Sequence, residues 1–198
     1  MIYKLSRKIA KDMVNNNIVK FGDYEIYLYG IQSIISSIVD ILVILIISAF
    51  WGQALYSVIF IIFFCTLRIN AGGYHASSYF KCLIFITSIN FLAIALVNNV
   101  KVIKSPYFII ASLLFSIFLI LKYCPVDTPN KPLNSEEKQL CRRRSIITFI
   151  IQSIIILSIY FIKSSFGKYC SIAALALLSE TMLLLPISNM FKKKVCIK

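Results

Sequence analysis

Six apolar runs, at about 26–49, 53–69, 83–100, 106–121, 146–162 and 170–191, dominate this chain. Each is near or slightly below the ~20 residues that a helix needs to cross a bilayer. Short runs of that kind reach both surfaces when flanking Lys and Arg snorkel or the bilayer thins locally. The second and fourth runs are the weakest, and a four-span arrangement with two segments that only dip into the membrane is the alternative. Composition supports the membrane reading: 59% of the 198 residues are hydrophobic and only 15% are charged. A water-soluble domain of this size has too little interior to hide so much apolar surface. The expected fold class is therefore all-α, a polytopic integral membrane protein of about six transmembrane helices.

The net charge of +13 would suggest nucleic acid in a soluble protein. Here the basic residues lie between the apolar runs and no nucleic-acid motif accompanies them, as expected where loops face an anionic membrane surface. With the N-terminus inside, only Lys101, Lys104, Lys163 and Lys168 fall outside. That asymmetry places both termini in the cytoplasm and implies an even number of spans. Residues 1–22 lack an apolar run long enough for a signal peptide. Instead Ile2, Leu5, Ile9 and Met13 recur at near-helical spacing among Lys4, Arg7, Lys8 and Lys11, which predicts a basic amphipathic helix on the membrane surface. One membrane domain thus covers 1–198: the surface helix at 1–22, a bundle over 26–191 with cytoplasmic loops at 68–82 and 122–145, and a basic tail at 192–198. Pro125, Pro129 and Pro132 break any helix in the longer loop.

Outer connections are short, so chemistry is expected on the cytoplasmic side. In this topology Cys65, Cys82, Cys124, Cys141 and Cys196 lie at or near that reducing side and stay as thiols. No Cys-x-x-Cys pair exists, and a single histidine is too few for a usual zinc set. No metal and no cofactor are expected.

The connection from Arg68 to Cys82 holds the sole histidine, His75, the adjacent Gly72 and Gly73, and a cysteine at the start of an apolar run. Ser77 or Ser78 suits the N-cap of the following helix, placing Cys82 about one turn inside. There the helix N-terminus, Lys81 and a protonated His75 favour the nucleophilic thiolate. Seven residues of straight helix would separate His75 and Cys82 by ~10.5 Å along the axis, beyond general-base reach. The segment must bend, and Gly72 and Gly73 permit it. On spacing alone, the more ordinary reading is that the histidine is an interfacial packing residue and the cysteine a small core filler.

Three motifs together carry more. Arg68, Ala71, Gly73, His75, Ala76, Ser78 and Cys82 form the first; Tyr123, Pro125, Thr128, Lys131 and Pro132 the second; Glu180 with Leu184-Leu185-Pro186 the third. In order and spacing they resemble the AgrB family. The resemblance implies a membrane cysteine endopeptidase that cleaves an AgrD-like precursor peptide, with Cys82 as nucleophile and His75 as base, and promotes closure of a thiolactone. It also implies a homodimer. Arg68, Gly72, Gly73, Ser78, Lys131, Arg142, Arg143 and Arg144 are candidates for substrate binding, the arginine cluster for an acidic precursor tail. That cluster also suits a plain positive-inside anchor. Ser78, Asn70 or a backbone carbonyl is available to orient His75, and the Gly72, Gly73 or Cys82 amides to hold an oxyanion.

Asp40 and Glu180 sit near the centres of the first and last runs, where a carboxylate needs a proton or a partner such as Gln32 or Arg68. Glu180 is read as a structural intramembrane acid, and Pro186 as the end or kink of the last run. Two rival functions remain at this stage: a small transporter or exporter of the peptide, and a membrane scaffold. The chain has no nucleotide-binding motif or clear inverted repeat to support transport.

Overall fold

The computed structural model describes residues 2–72, 79–126 and 134–185. Seven α-helices run through them: α1 (Ile2–Asn15), α2 (Tyr24–Phe50), α3 (Ala54–Ala71), α4 (Tyr79–Asn99), α5 (Pro106–Tyr123), α6 (Ser135–Ile162) and α7 (Gly167–Met182). The chain is a multi-pass membrane protein, and α2 to α6 are each long and apolar enough to cross a membrane. Both weakest runs, α3 and α5, form helices of 18 residues. The sixth run gives the shorter α7, described over 16 residues.

The exterior is apolar. Ile34, Ile38, Leu42 and Ile46 make an exposed stripe along α2, and Ile147, Ile150, Ile151 and Ile154 do the same on α6. Spacing of three and four residues puts each set on one helix face. Such surfaces are stable against lipid rather than water.

The interior is organised around α7, which packs on α3, α4, α5 and α6. Cys170 through Leu177 are all buried. Its Gly, Ala, Ser and Cys side chains let four neighbouring backbones approach closely. Polar groups tie the helices together: the Ser57 hydroxyl donates to Asn90 Oδ1 at 2.9 Å, Gln152 bonds Thr66 and the Phe63 carbonyl, and Ser171 donates to the Ile103 carbonyl at 2.9 Å.

The N-terminal helix forms as its periodicity predicts. It packs on α2, with Ser6 and Ala10 buried. Tyr3, Leu5 and Ile9 stay exposed beside the basic residues, leaving an amphipathic face that the bundle does not consume.

The largest departure from the sequence expectation is α6. It begins at Ser135, eleven residues before its apolar run, so Arg142, Arg143 and Arg144 lie on helix rather than loop. The cause is local: the Asn134 amide donates to the Glu137 carboxylate at 2.9 Å in a capping box, and Glu136 and Glu137 favour the positive end of the helix. Likewise α3 continues through Arg68 to Ala71, and α4 already includes Tyr79 to Cys82, so the first connection is shorter than 68–82.

Candidate active site

The alternating helices bring the C-termini of α3, α5 and α7 and the N-termini of α4 and α6 to one end of the bundle. Helix α3 closes there on Gly72, whose amide donates to the Arg68 carbonyl at 3.0 Å and whose φ is +75°. That conformation favours glycine. Space makes the same demand, because a Cβ at position 72 would lie 2.6 Å from the Val126 carbonyl oxygen.

The close approach is a parallel bridge between Gly72 and Val126. The Val126 amide donates to the Ala71 carbonyl at 3.1 Å, and Cys124 Sγ lies 3.9 Å from the same oxygen. Cys124 is buried under this clasp. Burial pushes its thiol pKa upward, against a smaller lowering from the Ser145 hydroxyl.

A second tie joins α3 to α7. Arg68 Nη1 lies 3.0 Å from Glu180 Oε2 across 112 residues of sequence. The Arg68 guanidinium also lies over the Phe64 ring, 5.6 Å from its centre. The Glu180 side chain is fully buried and that of Arg68 partly so, at 15% exposed. Of the partners that the sequence offers, Gln32, Arg68 or a polar group of another subunit, the structure pairs Glu180 with Arg68. Asp40 is also buried.

A third tie joins α7 to α5, where the Thr181 hydroxyl lies 3.2 Å from that of Ser116. Leu184 packs in one cluster with Leu67, Ala71 and Cys124. All three sequence motifs therefore meet: the first touches the third through Arg68–Glu180, and the second through the Gly72–Val126 clasp.

Cys82 is the fourth residue of α4 and half-buried, and Lys81 beside it is exposed. Side chains on a helix lean toward its N-terminus, so a thiol at this position lies over the first turn, where amide N–H groups lack acceptors within the helix. The Gly72 amide is committed to the Arg68 carbonyl, so it does not fit the oxyanion-holding part proposed for it from sequence. Gly73, His75, Ser78 and Lys131 lie outside the described residues, as do Pro186 and the basic tail.

The arginine cluster divides. Arg142 Nη2 donates to the Leu121 carbonyl at 2.7 Å, capping the end of α5. Arg142 and Arg143 line an open depression of about 490 Å³ with Gln139, Ile146 and Ile147, while Arg144 is simply exposed. Sequence reading missed the α5 cap and the clasp, because nothing in local composition records which carbonyl a distant side chain will meet. Among the described residues no three His, Cys, Asp or Glu side chains gather into a metal-ligand set.

The profile of the AgrB family, Accessory gene regulator B, matches residues 5–184. The chain belongs to the AgrB family. A protein described as AgrB-like from Clostridium perfringens (strain SM101 / Type A) is 29% identical over 140 residues, which cover 68% of this chain and 64% of that relative. A second, described as AgrB-like protein 2 from Clostridium perfringens (strain 13 / Type A), is 27% identical over 144 residues, covering 70% of this chain and 67% of its own length. The matched part thus spans about two thirds of each relative. No solved structure matches the chain. This AgrB-family profile covers the whole end of the bundle just described, from Arg68 to Leu184.

Proposed function

We propose that this AgrB-family protein is a membrane cysteine endopeptidase that removes the C-terminal tail of an AgrD-like quorum-sensing precursor and hands the acyl group to a cysteine of that same peptide. The convergence of three separated family motifs at one end of the bundle carries the reading, since one of them presents Cys82 on the first turn of α4.

In the reaction, His75 accepts the Cys82 proton and the thiolate attacks the carbonyl carbon at the tail junction. The C–N bond breaks, the tail amine leaves with the proton from His75, and a thioester remains on Cys82. Backbone amides at the start of α4 stabilise the oxyanion. The peptide's own thiol then displaces Cys82, exchanging one thioester for another and closing the thiolactone. That second step is nearly thermoneutral, whereas the first raises an amide to a thioester and runs forward only as the tail is removed.

The positive-inside distribution supports a cytoplasmic site and cytoplasmic termini. We take the working form to be a homodimer, which crosslinking in the bilayer tests. The decisive measurement uses purified protein in proteoliposomes with synthetic precursor. Wild type is expected to release the tail and to yield a peptide adduct on Cys82 by mass spectrometry. Cleavage by Cys82→Ala at the wild-type rate would refute the assignment.

A further inference from the structure

Helix α6 carries one continuous outward face whose chemistry changes along its length. At the site end of the bundle, Gln139, Arg142 and Arg143 surround the open depression of about 490 Å³, and Ile146 and Ile147 complete its lining. Ile150 and Ile154 continue the face at the same spacing of three and four residues, 47% and 58% exposed. We propose that this face is a binding site for an anionic phospholipid, with the phosphate on Arg142 and Arg143 and an acyl chain laid along the isoleucines.

The dimensions suit that ligand. Arg143 and Ile154 are eleven positions apart, a helical rise of about 16.5 Å. One leaflet contributes about half of a ~30 Å hydrocarbon core, so arginines at headgroup depth put Ile154 near the end of a chain. The depression itself falls within the ~300–1,000 Å³ typical of small-molecule sites.

The charge is uncompensated along the helix and partly preset. Residues 138–147 contain four basic side chains, Lys138, Arg142, Arg143 and Arg144, and no acid. The Leu121 carbonyl holds Arg142 Nη2 at 2.7 Å, which fixes the guanidinium beside the depression and occupies one of its five N–H donors. Guanidinium forks match phosphate oxygens in paired hydrogen bonds. An acidic peptide would supply anionic oxygens too, but it has no use for an isoleucine stripe at bilayer depth. A phospholipid satisfies both halves of the face.

Arg144 supplies an internal control. It points about 100° further round the helix than Arg143 and does not line the depression. A general positive anchor would use both residues alike, whereas a discrete site uses Arg143. The site is also separate from the thiol chemistry: α6 packs on α3, α5 and α7, while α4, which carries Cys82, packs on α2, α3 and α7. Lipid binding therefore stands independently of the peptidase reading.

The test uses the full chain in neutral detergent micelles, with dioleoyl phosphatidylglycerol and dioleoyl phosphatidylcholine as probes and lipid retention read by native mass spectrometry. Wild type is expected to retain phosphatidylglycerol saturably and about 30-fold more tightly than phosphatidylcholine, from roughly fivefold per arginine at an anionic surface. Arg142→Gln/Arg143→Gln should lose nearly all of that preference. Should loss of the α5 cap unfold the double variant, Arg143→Gln leaves the cap intact and should lose about fivefold. Arg144→Gln is expected to stay within about twofold of wild type, and glycerol phosphate, a headgroup without chains, to leave the bound lipid in place. Equal losses in Arg143→Gln and Arg144→Gln, or equal retention of the two lipids by wild type, overturn the site. So does displacement of the lipid by glycerol phosphate at matched concentration. Arg143-dependent binding of a pentaglutamate peptide, without Arg143-dependent retention of phosphatidylglycerol, overturns it in favour of an acidic peptide.

Discussion

The two ends of the bundle are held by different chemistry. Opposite the site, the turns are tight and the ties neutral: the Tyr160 hydroxyl donates to the Lys104 carbonyl at 3.3 Å, Ser171 donates to the Ile103 carbonyl, and Tyr56 stacks on Tyr169 with ring centres 5.3 Å apart. At the site end the connections are longer, and the ties are a buried ion pair, a glycine pressed against backbone, and an arginine on a helix carbonyl. Neutral hydrogen bonds tolerate the loss of one partner; a buried charge does not. The site end is thus the more specified of the two and the more easily broken.

The comparison yields graded expectations. Arg68→Ala leaves the Glu180 carboxylate buried without its cation and should cost about 3–5 kcal/mol, measured as unfolding in lipid micelles; a loss similar to that of a neutral contact would erase the distinction between the ends. Gly72→Ala meets both a positive φ and the Val126 carbonyl, and about 1–3 kcal/mol of strain is expected, with tail release falling alongside. Tyr160→Phe should cost about 1 kcal/mol and leave precursor cleavage unchanged, so a large activity loss there would show that the opposite end is coupled to the chemistry. The smallest effect concerns Cys124. Burial raises its pKa, which favours the protonated thiol, so the stability it contributes is intact below the ordinary thiol pKa of about 8.5 and declines as pH rises through the higher folded value. Unfolding temperatures between pH 7 and 10 in wild type and Cys124→Ala measure it, and parallel curves would remove it.

Much of the fold was legible because lipid imposes a simple rule: apolar runs of sufficient length form helices, as the first five predicted runs do and the sixth does from Cys170 to Met182. The α6 extension was missed because it is mostly polar, and its start depends on Asn134 and Glu137 rather than on hydropathy. Within the site, Arg68–Glu180 was one of the pairings that sequence allowed, since a buried carboxylate demands a partner. The clasp was illegible for the opposite reason. Ala71, Gly72 and Val126 meet through backbone atoms, which every residue carries, so no side-chain pattern announces the contact.

The enclosure of α7 has a consequence for the whole chain. A helix surrounded by other helices has protein for its solvent, and the bilayer's thickness and intolerance of charge no longer bind it directly. Sixteen residues are then sufficient length, serine and glycine become assets, and an acid at position 180 faces a chosen cation instead of hydrocarbon. The outer helices meet the membrane's requirements so that the central one can answer to the site.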